Sequence, residues 1–172
     1  MLLGPYNDLE QAFAATHRII DDRGTSVEIE AWCDSIVGLL ELNLGTTTLR
    51  AFLDLSKRWP ETRPVVELIG VARSLHQIGR EAGSAATQAL LDALPAILHR
   101  IPRSPDLARI LGALTQLAKQ APESVTLATA RLSRLLESLD ASSFEIWLTA
   151  GLRAHGASTR KRREYFALDD PL

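Results

Sequence analysis

The sequence predicts an all-helical protein, and three observations support this fold class. Apolar residues recur at intervals of three and four along most of the 172 residues, which is the period of a helix with one buried face. Leu, Ala, Ile and Val supply most of the 46% hydrophobic fraction, whereas aromatic residues make up only 5%, a balance that favours helix over strand. No segment shows a sustained alternation of apolar and polar residues.

The clearest periodic segment is the second predicted helix, residues 26–44. Its apolar positions follow one helix face and predict a single buried stripe: Ile29, Trp32, Cys33, Ile36, Val37, Leu40 and Leu44. Thr25 and Glu28 have the spacing of a capping box, in which each side chain accepts a hydrogen bond from the other residue's backbone N–H. Ser142 and Glu145 have the same spacing and predict the start of a later helix.

The remaining segments are divided by glycine and proline residues, and the loops between them are short. Trp32 and Trp147 are the expected core anchors, and a similar Glu-x-Trp context around each suggests a helical repeat. We predict one domain, residues 1–172, of about eight antiparallel helices that form an α-solenoid of the HEAT type or an irregular bundle. The predicted helices lie near 6–22, 26–44, 47–58, 64–81, 85–100, 105–120, 124–138 and 142–155, with a short basic turn after residue 158.

The charge is unevenly distributed along the chain. The formal net charge is −2, which argues against a general affinity for nucleic acid. Residues 1–54 contain nine acidic residues and three arginines, whereas cations cluster near the other end: Arg153, Arg160, Lys161, Arg162 and Arg163. Two interpretations remain open, which are two solvated faces of one protein and a dipolar docking surface.

Cysteine content and the start of the sequence bear on the compartment. Cys33 is the only cysteine, so no intramolecular disulfide can form, and a reducing compartment is expected. The first ten residues lack a basic segment followed by an apolar one, and no apolar run approaches the roughly 18 residues that span a bilayer. We therefore expect a cytoplasmic protein that has no membrane partner.

No catalytic, cofactor-binding or metal-binding constellation is recognisable in the sequence. The four histidines lie on separate predicted helices, and no pair has the spacing of a metal-binding motif. The expectation is a protein that is not an enzyme and has no cofactor. One alternative is a small enzyme whose site assembles from scattered residues such as His17, His76 and Glu67. Another is a weak nucleic-acid binder that uses Arg160–Arg163.

The C-terminal part resembles a known family. Residues 144–152 read FEIWLTAGL, residues 160–163 read RKRR, and residues 165–171 read YFALDDP. A Trp followed four residues later by Gly-Leu, and then a Tyr-Phe-x-Leu close before an acidic residue, is similar to a segment in the helical N-terminal region of the CbbO/NorD family. Residues 32–52 are similar to a preceding helical unit of such proteins. The likeness covers about a third of the chain.

The resemblance implies an adaptor for a MoxR-type AAA+ ATPase, of the kind that serves Rubisco activation or nitric oxide reductase maturation. This sequence departs from the family because it contains no von Willebrand factor A domain and no complete metal-site motif of that domain. We expect a non-catalytic interaction module that contacts a protein partner, either the ATPase or its client, and not nucleic acid. The predicted partner-binding residues are Arg153, Arg160, Lys161, Arg162, Arg163 and Tyr165.

Overall fold

The computed structural model describes residues 4–42, 44–138, 140–154 and 158–167, and all regular structure among them is helical. The predicted all-helical fold class is therefore confirmed. These residues form nine helices, close to the predicted eight: α1 (Gly4–Arg23), α2 (Ser26–Glu41), α3 (Thr46–Lys57), α4 (Val65–Ala82), α5 (Ser84–Arg100), α6 (Ser104–Gln120), α7 (Pro122–Leu135), α8 (Ala141–Ala154) and α9 (Thr159–Ala167).

The two predicted capping boxes have different outcomes. At the start of α2, the Glu28 N–H donates to Thr25 Oγ1 over 3.3 Å, and the Thr25 N–H donates to Glu28 Oε2 over 2.7 Å, so this box is confirmed. The box predicted at Ser142 is wrong, because α8 begins earlier and its first turn is capped by Asp140. The Asp140 carboxylate accepts the Ser143 N–H over 2.7 Å, and this hydrogen bond lowers the pKa of Asp140.

Further boundaries differ from the prediction, among them the end of α7, which lies at Leu135 and not at the predicted residue 138. The segment after residue 158 is a helix of nine residues and not only a basic turn, because its aromatic side chains have a surface to pack against. Helix α2 ends at Glu41, although apolar residues continue to Leu44, and its C-cap is Leu42. The predicted end of the eighth helix at residue 155 lies outside the described residues.

The chain divides into two compact units, residues 1–76 and 77–172, and the division falls within α4. In the first unit, α1 packs against α2 and α3. Trp32 of α2 is fully buried, as predicted, and its ring lies 5.7 Å from that of Phe52 on α3. The Arg23 side chain connects the end of α1 to the segment between α3 and α4, because its guanidinium donates to the carbonyl oxygens of Pro60 and Arg63.

The second unit contains the packed pairs α5–α7, α6–α8 and α7–α9, so helices that are next but one in the chain share extensive contacts. The helices thus form two rows, one of α5, α7 and α9 and the other of α6 and α8. Contacts of α6 with α7 and of α8 with α9 connect these rows. This alternation is typical of stacked helical repeats, and within this unit it favours the solenoid alternative over an irregular bundle. Trp147 of α8 is only 5% exposed, which confirms its predicted burial.

No helix in the described ranges is both long enough and apolar enough to cross a membrane.

Truncation of Trp147 tests the packing of the second unit. Trp147→Ala should lower the free energy of unfolding by about 3–5 kcal/mol, because it opens a large cavity beside Phe144 and Phe166. Urea denaturation followed by circular dichroism measures this loss. Ile146→Ala is the matched control, since Ile146 is 67% exposed and its truncation should change stability by no more than about 0.5 kcal/mol. Equal losses in the two variants would contradict the packing.

Candidate functional site

Helix α9 is attached to α8 by a cluster of aromatic rings. The Trp147 ring lies 5.1 Å from that of Phe166 in an edge-to-face arrangement and 5.8 Å from that of Tyr165 in a stacked one. The Phe144 ring also lies 5.7 Å from that of Trp147. Phe166 is fully buried. Aromatic pairs at these separations add to the stabilisation from buried area, so the cluster fixes α9 on this unit.

Gly151 allows α9 to approach α8 closely. A Cβ atom at this position would lie 2.5 Å from the Tyr165 ring and 2.6 Å from the Phe166 ring, which is well inside van der Waals contact. Any side chain would therefore displace both rings. The glycine is here because of a close approach between two helices and not because of its backbone conformation.

The hydroxyl group of Tyr165 is also engaged. It donates a hydrogen bond to the Trp147 carbonyl oxygen over 2.9 Å, and burial raises the pKa of Tyr165. The ring is thus held by stacking on one face and by a polar contact at its tip. Tyr165 helps to attach α9, and its side chain is partly buried.

Arg162 attaches α9 to α7. Its guanidinium contacts Glu123 Oε1 through Nη2 at 2.9 Å and through Nε at 3.1 Å, and it also donates to the hydroxyl of Thr159. The Arg162 side chain is only 11% exposed, so this ion pair is shielded from solvent more than a surface pair is. Arg162 is thus a structural cation that bridges two helices.

The remaining cations of α9 project from its outer face. Arg160, Lys161 and Arg163 are exposed. Helical geometry places Arg160 roughly opposite Arg162 and Phe166, with Lys161 and Arg163 on either side of it. Arg160 pairs with Glu164 one turn later at 2.8 Å, and the hydrogen bond with that carboxylate raises the pKa of Arg160. We call Arg160, Lys161 and Arg163 the α9 cation face.

Arg153 belongs to a different surface. It lies on the outer face of α8, where it lines a shallow depression of about 440 Å³ together with Ile146 and Thr149. Helical geometry places these residues away from Trp147 and Gly151, which face α9. The six predicted partner-binding residues therefore do not form one edge. They divide into the α9 cation face, the two attachment residues Arg162 and Tyr165, and Arg153 on α8.

A groove between α6 and α8 was not predicted from the sequence. It has a volume of about 260 Å³, and small residues of α6, including Gly112 and Ala113, form much of its lining. Arg109 crosses from α6 to α8, where it contacts the Ser142 hydroxyl at 3.0 Å and the Glu145 carboxylate at 3.4 Å. The sequence does place small residues along one side of α6 (Ala108, Gly112 and Ala113), but it does not show which helix lies opposite them.

The residues of the enzyme alternative all lie in the first unit. His17 stacks on Phe13 at 6.0 Å, and the His76 ring packs against Gly38. Glu67 forms a buried ion pair with Arg63, in which Nε and Oε2 are 2.6 Å apart. Each side chain thus has a contact that accounts for its position. Within the described part of the chain, no group of three or more His, Cys, Asp or Glu side chains is arranged to hold a metal ion.

The class of protein defined by these observations is an all-helical protein with stacked helices in its second unit. The sequence matches no protein-family model, and comparisons with curated proteins and with solved structures give no significant match.

Substitution of Gly151 tests the close approach of α8 and α9. Gly151→Ala should destabilise the protein by about 1–3 kcal/mol, because the added methyl group displaces the Tyr165 and Phe166 rings. Gly112→Ala is the matched control within α6, since nothing lies within 4 Å of the added methyl group. That variant should gain up to about 1 kcal/mol from the higher helix propensity of alanine. Stabilisation by both substitutions, measured by urea denaturation, would contradict the attachment of α9.

Proposed function

We propose that this chain is a non-catalytic protein-interaction module whose α9 cation face binds an acidic surface of a protein partner. The main support for the proposal is that α9 is attached by one set of residues and carries its exposed charge on another. Residues on its inner side attach the helix through Trp147, Gly151 and Glu123, and other residues carry the exposed charge. Because the helix is fixed, the backbone positions of its cations are set, and the segment loses less backbone freedom on binding than a flexible one would.

Two features favour a protein partner over nucleic acid. Tyr165 stacks on Trp147 and meets Phe166 edge-on, so its ring already has aromatic partners within the protein and is a poorer platform for a base. Glu164, which pairs with Arg160, lies beside the α9 cation face, and its negative charge would repel a phosphate backbone but suits a surface of mixed charge. Arginine is enriched in protein interfaces and makes bidentate contacts with carboxylates.

The resemblance to the CbbO/NorD family suggests the identity of the partner. We propose that the module acts as an adaptor that couples a MoxR-type AAA+ ATPase to its client enzyme, as the Rubisco-activating and nitric oxide reductase-maturing members of that family do. In this proposal the chain provides a binding surface of defined shape and charge, and the ATPase provides the energy of ATP hydrolysis. Rim charges of this kind mainly set the rate of association and its dependence on salt.

Charge reversal on α9 tests the proposal. The triple substitution Arg160→Glu, Lys161→Glu and Arg163→Glu should slow association with the MoxR-type ATPase of the same organism by roughly tenfold or more at low salt. The effect should shrink at moderate salt, because ions screen exposed charges. Surface plasmon resonance with the full chain measures both rates. Folding should be unchanged, since all three side chains are exposed.

The matched control reverses three exposed cations elsewhere and changes the net charge by the same amount: Arg18, Arg73 and Lys119. This control should associate nearly as fast as the unsubstituted chain. An equal loss in both triple variants would mean that only the net charge matters, and the α9 cation face would then have no special role. Absence of binding by the unsubstituted chain would refute the proposed ATPase partner.

A further inference from the structure

The outer face of α2 presents more apolar surface than the first unit covers. Val37 is 54% exposed and Leu40 is 56% exposed, although the periodicity places both on the same stripe as the buried Trp32 and Ile36. The prediction that the whole stripe is buried is therefore wrong for these two residues. The apolar residues of α2 therefore cover a wider part of the helix circumference than the part that packs against the other helices of the first unit.

The uncovered residues form an ordered seam. Cys33, Val37 and Leu40 are spaced at i, i+4 and i+7, so they follow one line along the helix for about 10 Å. Cys33 is partly exposed and begins the line. This spacing is the one that a second helix uses when it packs against a first.

An acidic row runs beside the apolar seam. Glu30, Asp34 and Glu41 are all exposed, and helical geometry places them on one side of Val37. In pairs of packed helices, charged residues at such flanking positions select the partner by charge. Together these six residues form what we call the α2 docking face: Glu30, Cys33, Asp34, Val37, Leu40 and Glu41.

We propose that the α2 docking face binds a basic amphipathic helix of a partner protein. The apolar seam would receive the apolar stripe of that helix, and the acidic row would pair with its lysine or arginine side chains. Burial of Val37 and Leu40 supplies most of the binding free energy. The acidic row speeds the encounter and excludes acidic helices.

A second copy of this chain is a poorer occupant. Two α2 docking faces would bring their acidic rows together, and like charges at such positions repel. The α9 cation face offers three positive charges, but the outward apolar side chain that the structure describes on α9 is the small Ala167. An alanine cannot cover Val37 and Leu40. The charge and shape of the α2 docking face therefore fit a larger apolar stripe bordered by cations.

This inference goes beyond the proposed function and does not depend on it. The α2 docking face lies in the first unit and selects a basic partner, whereas the α9 cation face lies in the second unit and selects an acidic one. Failure of either proposal would leave the other standing. An adaptor that had both surfaces could hold two partners of opposite charge.

The unique Cys33 allows occupancy of this face to be measured directly. The probe is a designed helical peptide that carries leucine at its packing positions and lysine at its flanking positions. Its matched control has glutamate in place of every lysine. The rate at which iodoacetamide alkylates Cys33 is followed by mass spectrometry of the intact full chain as each peptide is added. The lysine peptide should slow alkylation in a saturable manner, and the glutamate peptide should leave the rate unchanged.

Two variants separate the apolar seam from the acidic row. Val37→Ser with Leu40→Ser should weaken protection by the lysine peptide at least roughly tenfold at all salt concentrations. Substitution of the acidic row by amides, Glu30→Gln with Asp34→Asn and Glu41→Gln, should weaken it roughly tenfold at low salt and less at high salt. Circular dichroism should show unchanged folding in both variants, because the altered side chains are exposed.

The control variants alter similar residues of the first unit outside this face. Val66→Ser removes an apolar side chain that is also 54% exposed. Asp21→Asn with Asp22→Asn and Glu61→Gln removes three exposed acids. Both controls should keep full protection of Cys33 by the lysine peptide.

Several results would overturn the proposal. Unchanged alkylation at saturating lysine peptide would mean that no basic helix binds at Cys33. Equal protection by the glutamate peptide, or protection that survives loss of the acidic row at low salt, would remove the charge selection. Protection that appears when the protein alone is concentrated, together with a doubled mass in light scattering, would assign the face to a second copy of the chain.

Discussion

The contact of Tyr165 and Phe166 with Gly151 determines whether α9 is an ordered part of the protein. An isolated helix of nine residues has marginal stability in water. The first turn is costly to form, and a helix this short adds few further hydrogen bonds to offset that cost. Packing supplies the missing stabilisation through the fully buried Phe166 and the ring of Trp147. A larger residue in place of Gly151 would hold α8 and α9 apart. The packing of α9 on α8 therefore depends on the lack of a side chain at this position.

The order of α9 decides what its charges can do. On a flexible segment, Arg160, Lys161 and Arg163 would act as a diffuse positive cloud that attracts many anions weakly. On a fixed helix they present a defined pattern, with the Arg162–Glu123 ion pair limiting rotation against α7. One of the four neighbouring cations, Arg162, pairs with Glu123, and the other three remain exposed. The proposed specificity of the module therefore depends on packing as much as on charge.

The sequence predicts the helices and their main anchors well, and it predicts the surfaces less well. Burial of Trp32 and Trp147 follows from periodicity, because a large ring on an apolar stripe has to be covered. The role of Arg162 could not be predicted, since its partner Glu123 is 39 residues away in the chain. The exposure of Val37 could not be predicted either, because periodicity shows which side of a helix is apolar and not how wide an arc the neighbouring helices cover.

Amide hydrogen exchange of α9 tests the central claim most directly, which is that packing on α8 makes this short helix part of the folded unit. The account predicts that amides in the interior of α9 exchange far more slowly than in an unfolded chain, and that Gly151→Ala accelerates them much more than those of α6. Exchange of α9 at the rate of an unfolded peptide, while α6 and α8 remain protected, would contradict the account. The cations of α9 would then have no fixed arrangement for a partner to recognise.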